Sequence, residues 1–315
     1  MTDRAARKTA FLTHAGHGKD VVTPIAGDAS ARRYDRLTSA HGGTVILMDA
    51  DPATGERTAP FVDIARYLTD SGLTAPHILH HDADDGFVLL SDLGHETLAA
   101  AASRAPQQET VLYDAATDVL IALDRLHPPA LHRMTPQVGA DMVAITATAY
   151  ANCDPAPLVS AVRDVLDRHA PAADHLALRD FHAENLIWRP DRTGLDRVGL
   201  LDFQDAFIAP RGYDLASLLG DIRRDMPPSI RDRAASRFAD ATGMTMDQIT
   251  LRLAVLSAQR NLRILGVFAR LIANGKPRYR TMMPRVWSVL MRDLGHPALS
   301  DLRVIVLRDL PPVPA

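Results

Sequence analysis

An aspartate, an asparagine and a second aspartate stand near the middle of the chain, in a spacing that suits phosphoryl transfer. Asn185 follows Asp180 by five positions, and Asp202 comes after a turn-like segment at residues 191–194. One carboxylate can orient an attacking hydroxyl and accept its proton, while an amide oxygen and a second carboxylate can hold Mg²⁺ against phosphates. Asp and Asn are also ordinary turn residues, so the hypothesis depends on their spacing.

These residues need a rigid local frame, and the sequence predicts one. Residues 177–203 form a non-helical island between predicted helices, with a short strand on each side of the turn at 191–194. A hairpin there would bring the chain back on itself. We therefore expect Asn185 and Asp202 to face each other.

The segment before residue 95 is rich in predicted strands. Apolar runs separated by turn residues predict five strands, at Val21–Ile25, Ala31–Leu37, Thr44–Met48, Ile78–His81 and Phe87–Leu90. One helix is predicted at Phe61–Leu68, from apolar residues at helical spacing. This part should be a small antiparallel sheet with a single helix.

After residue 94 the pattern changes to long helices. Apolar stripes of helical period predict helices at Glu109–Leu126, Leu158–Arg168, Leu215–Arg224, Ile230–Asp240, Leu251–Ala273 and Val286–Leu294. The predicted class is α+β, with a sheet lobe over residues 1–93 and a larger helical lobe over residues 94–315. The island with Asp180 belongs to the second lobe in this interpretation.

The composition excludes several kinds of protein. Hydrophobic residues make up 47% of the 315 positions and charged residues 23%, which is typical of a folded globular chain. A net charge of -3 argues against a nucleic-acid-binding protein. One cysteine, Cys153, cannot form an internal disulfide. No apolar run reaches the ~18 residues that span a bilayer, so we expect no membrane partners. We also expect the protein to be cytoplasmic and a monomer.

Lysine is nearly absent from the sequence. Only Lys8, Lys19 and Lys276 occur among 35 basic residues, so the stretch between Asp20 and Gly275 contains none. A mechanism that requires a lysine within that stretch is therefore excluded.

Beyond these patterns, the chain resembles the protein-kinase-like superfamily in its aminoglycoside phosphotransferase and choline kinase branch. Within that branch it is similar to the bacterial kinases that phosphorylate the C1 hydroxyl of N-acetylmuramate and N-acetylglucosamine in peptidoglycan recycling. The matching segments are residues 27–34 (GDASARRY), 48–50 (MDA), 60–64 (PFVDI), 90–94 (LSDLG), 201–206 (LDFQDA), 213–215 (YDL), 259–266 (QRNLRILG) and 275–279 (GKPRY). Each segment is weak alone, and their order over most of the chain makes the resemblance specific.

The resemblance implies ATP and Mg²⁺ as cofactors and gives roles to individual residues. Asp180 would be the catalytic base, with Asn185 and Asp202 as magnesium ligands. Asp214 would support the catalytic loop. In the loop between the first two strands, backbone groups and a hydroxyl of Gly27, Asp28, Ala29 and Ser30 would contact the ATP phosphates. In the hinge between the two lobes, Ser91 and Leu93 would form hydrogen bonds with adenine.

The sequence departs from the superfamily pattern at two positions. Leu178 stands where the catalytic loop often begins with histidine, and Met48 stands where the third strand usually carries the phosphate-binding lysine. An arginine should then supply the missing charge. Arg32 and Arg33 would point to opposite faces of a strand, and we favour Arg33.

The acceptor is less well defined by the sequence. His182, Glu184 and Asp205 are candidates for contacts with a sugar, although the first two could equally face solvent. Asp205 could instead be a third carboxylate near the metal or pair with Arg211. An arginine-rich C-terminal half with few aromatic residues favours a neutral or anionic acceptor, such as an amino sugar. An aminoglycoside, choline or another small alcohol remains an alternative acceptor, and a nucleotide-binding pseudokinase is an alternative class.

Overall fold

The computed structural model describes residues 3–25 and 31–313, and the chain divides into two compact units. The first unit contains Met1–Thr97 and Asn185–Asp205, and the second contains Leu98–Glu184 and Ala206–Ala315. Our prediction put residues 94–315 together in one lobe. In the structure, the hairpin that carries Asn185 and Asp202 belongs to the same unit as the five-stranded sheet.

The first unit is built on a five-stranded antiparallel sheet in the order β1-β2-β3-β5-β4. Its strands are β1 (Val21–Ile25), β2 (Arg33–Thr38), β3 (Thr44–Asp49), β4 (Ile78–Asp82) and β5 (Phe87–Ser91). The helix predicted from residue 61 is α2 (Ala59–Asp70), which buries Phe61, Ile64 and Leu68. All five predicted strands are present, with ends shifted by at most two residues.

A helix that the sequence analysis missed, α1 (Asp3–His14), covers one face of this sheet. Leu12 is buried together with Leu37, Leu47, Phe87 and Leu89 of the strands. Ion pairs join the same helix to the sheet and to the turn between β4 and β5, among them Arg4 with Asp49, Lys8 with Asp35 and Arg7 with Asp85. Few of its residues are strongly apolar, and ion pairs with the sheet help to hold it in place.

A short hairpin completes the first unit. Strands β7 (Leu186–Trp188) and β8 (Val198–Leu200) pair antiparallel around the turn predicted at residues 191–194. The Trp188 N–H donates to the Glu96 carbonyl at 2.8 Å and the Leu200 N–H to the Thr74 carbonyl at 2.7 Å. These bonds fix the hairpin to segments about ninety residues or more earlier in the chain.

The second unit is mostly helical, with one small strand pair. The pair joins β6 (His175–Ala177) and β9 (Phe207–Ala209). The helices are α3 (Leu98–Arg104), α4 (Glu109–Asp124), α5 (Pro136–Asp141), α6 (Ala156–His169), α7 (Tyr213–Leu219), α8 (Pro228–Thr242), α9 (Met246–Ala273), α10 (Met283–Asp293) and α11 (Ser300–Asp309). All six predicted helices are present, and α3, α5 and α11 were not predicted.

The 28-residue helix α9 is the centre of the second unit. It begins with a capping box in which Thr245 and Gln248 satisfy each other's backbone N–H groups. Gly266 permits a close crossing, because a Cβ there would lie 2.6 Å from the carbonyl carbon of Ile145. The arginines along α9 interrupt its apolar surface, and no helix in the described part of the chain could span a membrane.

Candidate active site

The loop that carries Asp180 is held by a buried carboxylate. The Asp214 side chain, at the start of α7, accepts the Leu178 N–H at 2.6 Å and the Arg179 N–H at 2.9 Å. Arg179 has a φ of 77°, a left-handed conformation that is costly for a residue with a side chain. Two charge-assisted hydrogen bonds offset that cost, so Asp214 fixes the backbone immediately before Asp180.

Burial also changes the acidity of Asp214. It raises the pKa of this carboxyl to about 7, against the opposing effects of the two backbone N–H groups and Arg260. Because this carboxylate is buried and accepts two backbone N–H groups, it stabilises the conformation of the loop. This position agrees with the role that the resemblance implied for it.

Arg260 of α9 holds the same loop from another side. Its guanidinium donates to the Arg179 carbonyl at 2.5 Å, lies 3.8 Å from an Asp180 carboxylate oxygen and stacks 5.0 Å from the centre of the Tyr213 ring. The residue is 8% exposed. Sequence reasoning gave it no role, although an arginine within the buried stripe of a long apolar helix is a signal that could have been used.

Asp180 itself remains accessible. Its side chain is 39% exposed, whereas that of Arg260 is 9% exposed. An open carboxylate on a backbone fixed from two sides is suited to accept a proton from a small alcohol. The second unit therefore supplies a positioned and accessible carboxylate.

The first unit brings together the two predicted magnesium ligands. The Asn185 amide nitrogen donates to Asp202 at 3.2 Å, and the Gln204 amide donates to the other carboxylate oxygen at 2.7 Å. Asn185 immediately precedes β7, and the Leu201 N–H after β8 donates to its carbonyl at 3.0 Å. Facing positions at the end of one hairpin therefore explain why these residues meet.

The ligand types at this site fit a hard cation. Asp202 is exposed and could offer a carboxylate, and Asn185 could offer its amide oxygen, both of which suit Mg²⁺. In residues 3–25 and 31–313 no group of three or more His, Cys, Asp or Glu side chains could hold a metal alone. A site with so few protein ligands is typical of Mg²⁺ that completes its coordination with water and phosphate oxygens.

The three candidate sugar contacts occupy different environments. His182 is 6% exposed, while Glu184 and Asp205 are exposed. Arg211, the alternative partner proposed for Asp205, pairs with Asp124 at 2.9 Å and lies 3.0 Å from His175. The predicted sugar contacts stay predictions, and the burial of His182 makes it a core residue of the loop.

His182 should make stability depend on pH. Burial, followed by the charges of Arg223 and Arg260, holds its pKa well below 6.5. Below about pH 6.5 the unfolded chain binds a proton that the folded chain does not, so the free energy of unfolding should fall by up to about 1.4 kcal/mol per pH unit. Urea unfolding at about pH 5 and about pH 7.5 would measure this slope.

The His182→Asn variant should lose that contribution to the slope. A matched substitution of the exposed His14, His14→Asn, should keep it. Equal slopes in wild type and His182→Asn would contradict the assignment of a neutral, buried His182.

Arg32 and Arg33 lie on opposite sides of the sheet. Arg33 is exposed and pairs in register with Asp49, on the face that α1 covers. Tyr34 pairs with Met48, and its hydroxyl lies 3.4 Å from the Met48 sulfur on the other face. Burial raises the pKa of Tyr34, and this shift is opposed by Arg32 and increased by Asp202.

Arg32 and Asp202 both act electrostatically on Tyr34, which places Arg32 near the Met48 face of β2. Arg32 is hydrogen-bonded to Tyr34 and pairs with Glu56 at 2.8 Å. The pairing of β2 with β3 places Arg33 opposite Asp49, a register that a sequence with a turn just before the two arginines could not fix. Whether either contacts a nucleotide stays a prediction.

The other predicted nucleotide contacts are only partly described. Gly27, Asp28, Ala29 and Ser30 lie outside the described residues. Ser91 ends β5, where its hydroxyl accepts the His77 N–H at 2.9 Å and its own N–H donates to the His77 carbonyl at 2.9 Å. Next to it, Asp92 is bound by Arg36 at 2.7 and 3.1 Å.

Leu93 follows this ion pair and packs at the short hairpin. Its side chain would lie 2.9 Å from a Cβ at Gly199, so the glycine permits close contact. Arg36 also donates to the Gly94 carbonyl at 3.0 Å. The segment from residue 91 to residue 94 is thus fixed by side-chain bonds that the sequence analysis did not identify.

The fold and the positioned carboxylates define a protein-kinase-like phosphotransferase. The model of the phosphotransferase enzyme family matches residues 21–250. The chain belongs to this family.

Relatives and solved structures agree with that assignment. The chain is 33% identical to an N-acetylmuramate/N-acetylglucosamine kinase of Caulobacter vibrioides, over 98% of each chain. It is 30% identical to a kinase of the same name from Pseudomonas aeruginosa, over 89% of this chain and 86% of the relative. A putative aminoglycoside phosphotransferase from Ralstonia eutropha has a TM-score of 0.64 at 14% identity, over 91% of this chain and 98% of that one. At that identity the structural likeness supports the fold alone.

Proposed function

We propose that this phosphotransferase transfers the γ-phosphoryl group of ATP to the C1 hydroxyl of N-acetylmuramate, N-acetylglucosamine or both, for cell-wall recycling. The observation that carries the proposal is the 33% identity, over nearly the whole of both chains, to a kinase named for these sugars. The orientation of Asp180 by Asp214 and Arg260 supports it, because a sugar kinase needs a fixed base for the acceptor.

In this proposal one residue transfers the proton and the others bind Mg²⁺ and ATP. Asp180 would orient the sugar hydroxyl and accept its proton as the phosphorus–oxygen bond forms and ADP leaves. Asn185 and Asp202 would hold Mg²⁺, which supplies charge neutralisation on the phosphates when bound. The loop at Gly27–Ser30, together with Ser91 and Leu93, would bind ATP.

Arg32 is our candidate for the charge that the absent lysine would supply. Protein kinases pair that lysine with a glutamate, and Arg32 pairs with Glu56 at 2.8 Å with side-chain exposures of 12% and 19%. A planar guanidinium can bind a carboxylate and a phosphate at the same time through different N–H groups. The Arg32–Glu56 pair would thus replace the lysine–glutamate pair.

Arg32→Ala should raise the Michaelis constant for ATP by about tenfold, the value of one charge-assisted hydrogen bond. Arg33→Ala is the matched control, since the adjacent cation lies on the opposite face, and should change it less than about twofold. Steady-state kinetics with varied ATP would measure both. Equal effects of the two substitutions would remove Arg32 from the phosphate site.

Other acceptors remain alternatives with less support. Aminoglycosides and choline are cationic, and Arg179, Arg260 and Arg263 lie near the base, where they would repel a cation. A pseudokinase would have no use for a carboxylate as well supported as Asp180. Cytoplasmic location and a monomeric state stay predictions from the sequence.

An acceptor screen tests the proposal directly. The purified protein would be mixed with ATP, Mg²⁺ and each candidate acceptor, and ADP release would be followed together with NMR of the phosphorylated product. A phosphate on C1 of either amino sugar is the expected result. The proposal would be overturned if an aminoglycoside or choline were phosphorylated instead of the sugars, or if no acceptor led to ADP release.

A further inference from the structure

Arginines gather around the catalytic loop of the second unit. Arg260 contacts Asp180 and the Arg179 carbonyl, and Arg263 lies one helical turn further along α9. Residues three apart share a face of a helix, so the contacts of Arg260 place Arg263 on the side of α9 near the loop. Both Asp180 and Arg179 act electrostatically on Arg263.

Arg263 differs from its neighbours in having no counter-charge in contact. Arg223, the other arginine close to His182, pairs with Asp221 at 3.2 Å. Arg263 makes no hydrogen bond or ion pair with any residue in 3–25 or 31–313. A guanidinium has five N–H donors, and this one is half-buried with none of them bound to those residues.

Among the charges that act on Arg263, the largest effect comes from a positive one. Burial lowers its pKa, and the positive charge of Arg179 lowers it further. Asp180 opposes this effect, but Arg260 already lies 3.8 Å from that carboxylate. An anion placed beside Arg263 would therefore gain a charge-assisted, partly desolvated partner.

The acceptor is the anion that this position fits best. Asp180 must contact the hydroxyl that is phosphorylated, so an acceptor bound there has its other substituents within reach of the long side chains near Asp180. N-acetylmuramate differs from N-acetylglucosamine by a lactyl ether, whose carboxylate is on the same sugar ring as the reacting hydroxyl. A carboxylate is also the group that a guanidinium binds through two parallel hydrogen bonds.

We propose that Arg263 binds the carboxylate of the acid-bearing sugar and thereby determines the preference for N-acetylmuramate over N-acetylglucosamine. This inference rests on the proposed function. It gives Arg263 a role in specificity, while Arg260 positions the catalytic loop for either sugar.

The test compares the two sugars in one variant. Arg263→Met should raise the Michaelis constant for N-acetylmuramate about tenfold to hundredfold, the range for a hydrogen bond between charged groups. The Michaelis constant for N-acetylglucosamine should stay within about twofold of wild type, because that sugar has no carboxylate to lose. Turnover at saturation should change little for either.

Two further variants keep the result interpretable. Arg263→Lys retains the charge and most of the stem, so it should fold like wild type and weaken N-acetylmuramate binding by a smaller factor. Arg270→Met removes an exposed arginine from the same helix and should alter neither constant. Thermal midpoints of all variants show whether each is folded.

Each other outcome has a distinct meaning. Equal losses for both sugars, or none, would overturn the role of Arg263 while leaving the sugar kinase in place. Wild-type protein that phosphorylates N-acetylglucosamine but not N-acetylmuramate would do the same. Wild-type protein that phosphorylates neither sugar would overturn the proposed function and this inference together.

Discussion

Asp180→Asn is expected to turn over at least ~100-fold more slowly than wild type, the low end of what a general base contributes. The amide keeps the size of the side chain but cannot accept the proton. Asp214 and Arg260 hold the backbone of the preceding residue, so the loop should keep its conformation in the variant. Binding of Mg-ATP should be nearly unchanged.

Pre-steady-state and steady-state rates with saturating sugar would measure the effect, and calorimetric titration would measure Mg-ATP binding. Asp191→Asn makes the same chemical change in an exposed turn and should leave turnover intact. Turnover near that of wild type in Asp180→Asn would exclude this residue from the proton transfer.

Asp202→Ala is expected to abolish activity and to weaken Mg-ATP binding. Of the two predicted magnesium ligands, Asn185 and Asp202, only Asp202 carries a charge, and the variant would lose it. Asp202 is exposed and bound by two side-chain amides, so the fold depends little on its charge. The thermal midpoint without nucleotide should therefore stay largely intact.

The backbone at this position calls for a second variant. Asp202 has a φ of 58°, which alanine adopts less readily than asparagine does. Asp202→Asn should therefore keep the stability of wild type more closely and still lose Mg-ATP affinity. A large drop in the thermal midpoint of both variants without nucleotide would mean that Asp202 is structural.

The elements with strong periodicity could be predicted from the sequence. The five strands of the first unit and the six predicted helices of the second are present close to their predicted positions. Helix α1 was missed; it has few strongly apolar residues, and it is also held by ion pairs with Asp35, Asp49 and Asp85. Partners distant in sequence leave no local pattern.

The site shows the same division between local and distant information. The pairing of Asn185 with Asp202 was predictable because one hairpin joins them. The support of the Asp180 loop by Arg260 was not, since α9 lies about eighty residues later in the chain. The side of the sheet that Arg33 faces depended on a register that only the paired strands reveal.

The discontinuity of the first unit has a consequence for synthesis and for fragment design. Residues 1–97 leave the ribosome well before residues 185–205, which complete the same unit. Until then the Thr74 hydroxyl lacks its bond to Asp196, at 2.7 Å, and Phe61 lacks the ring of Phe203, 5.0 Å away. A fragment that ends at Thr97 would carry these gaps permanently, so the sheet and its hairpin should be expressed as one chain with the segment between them.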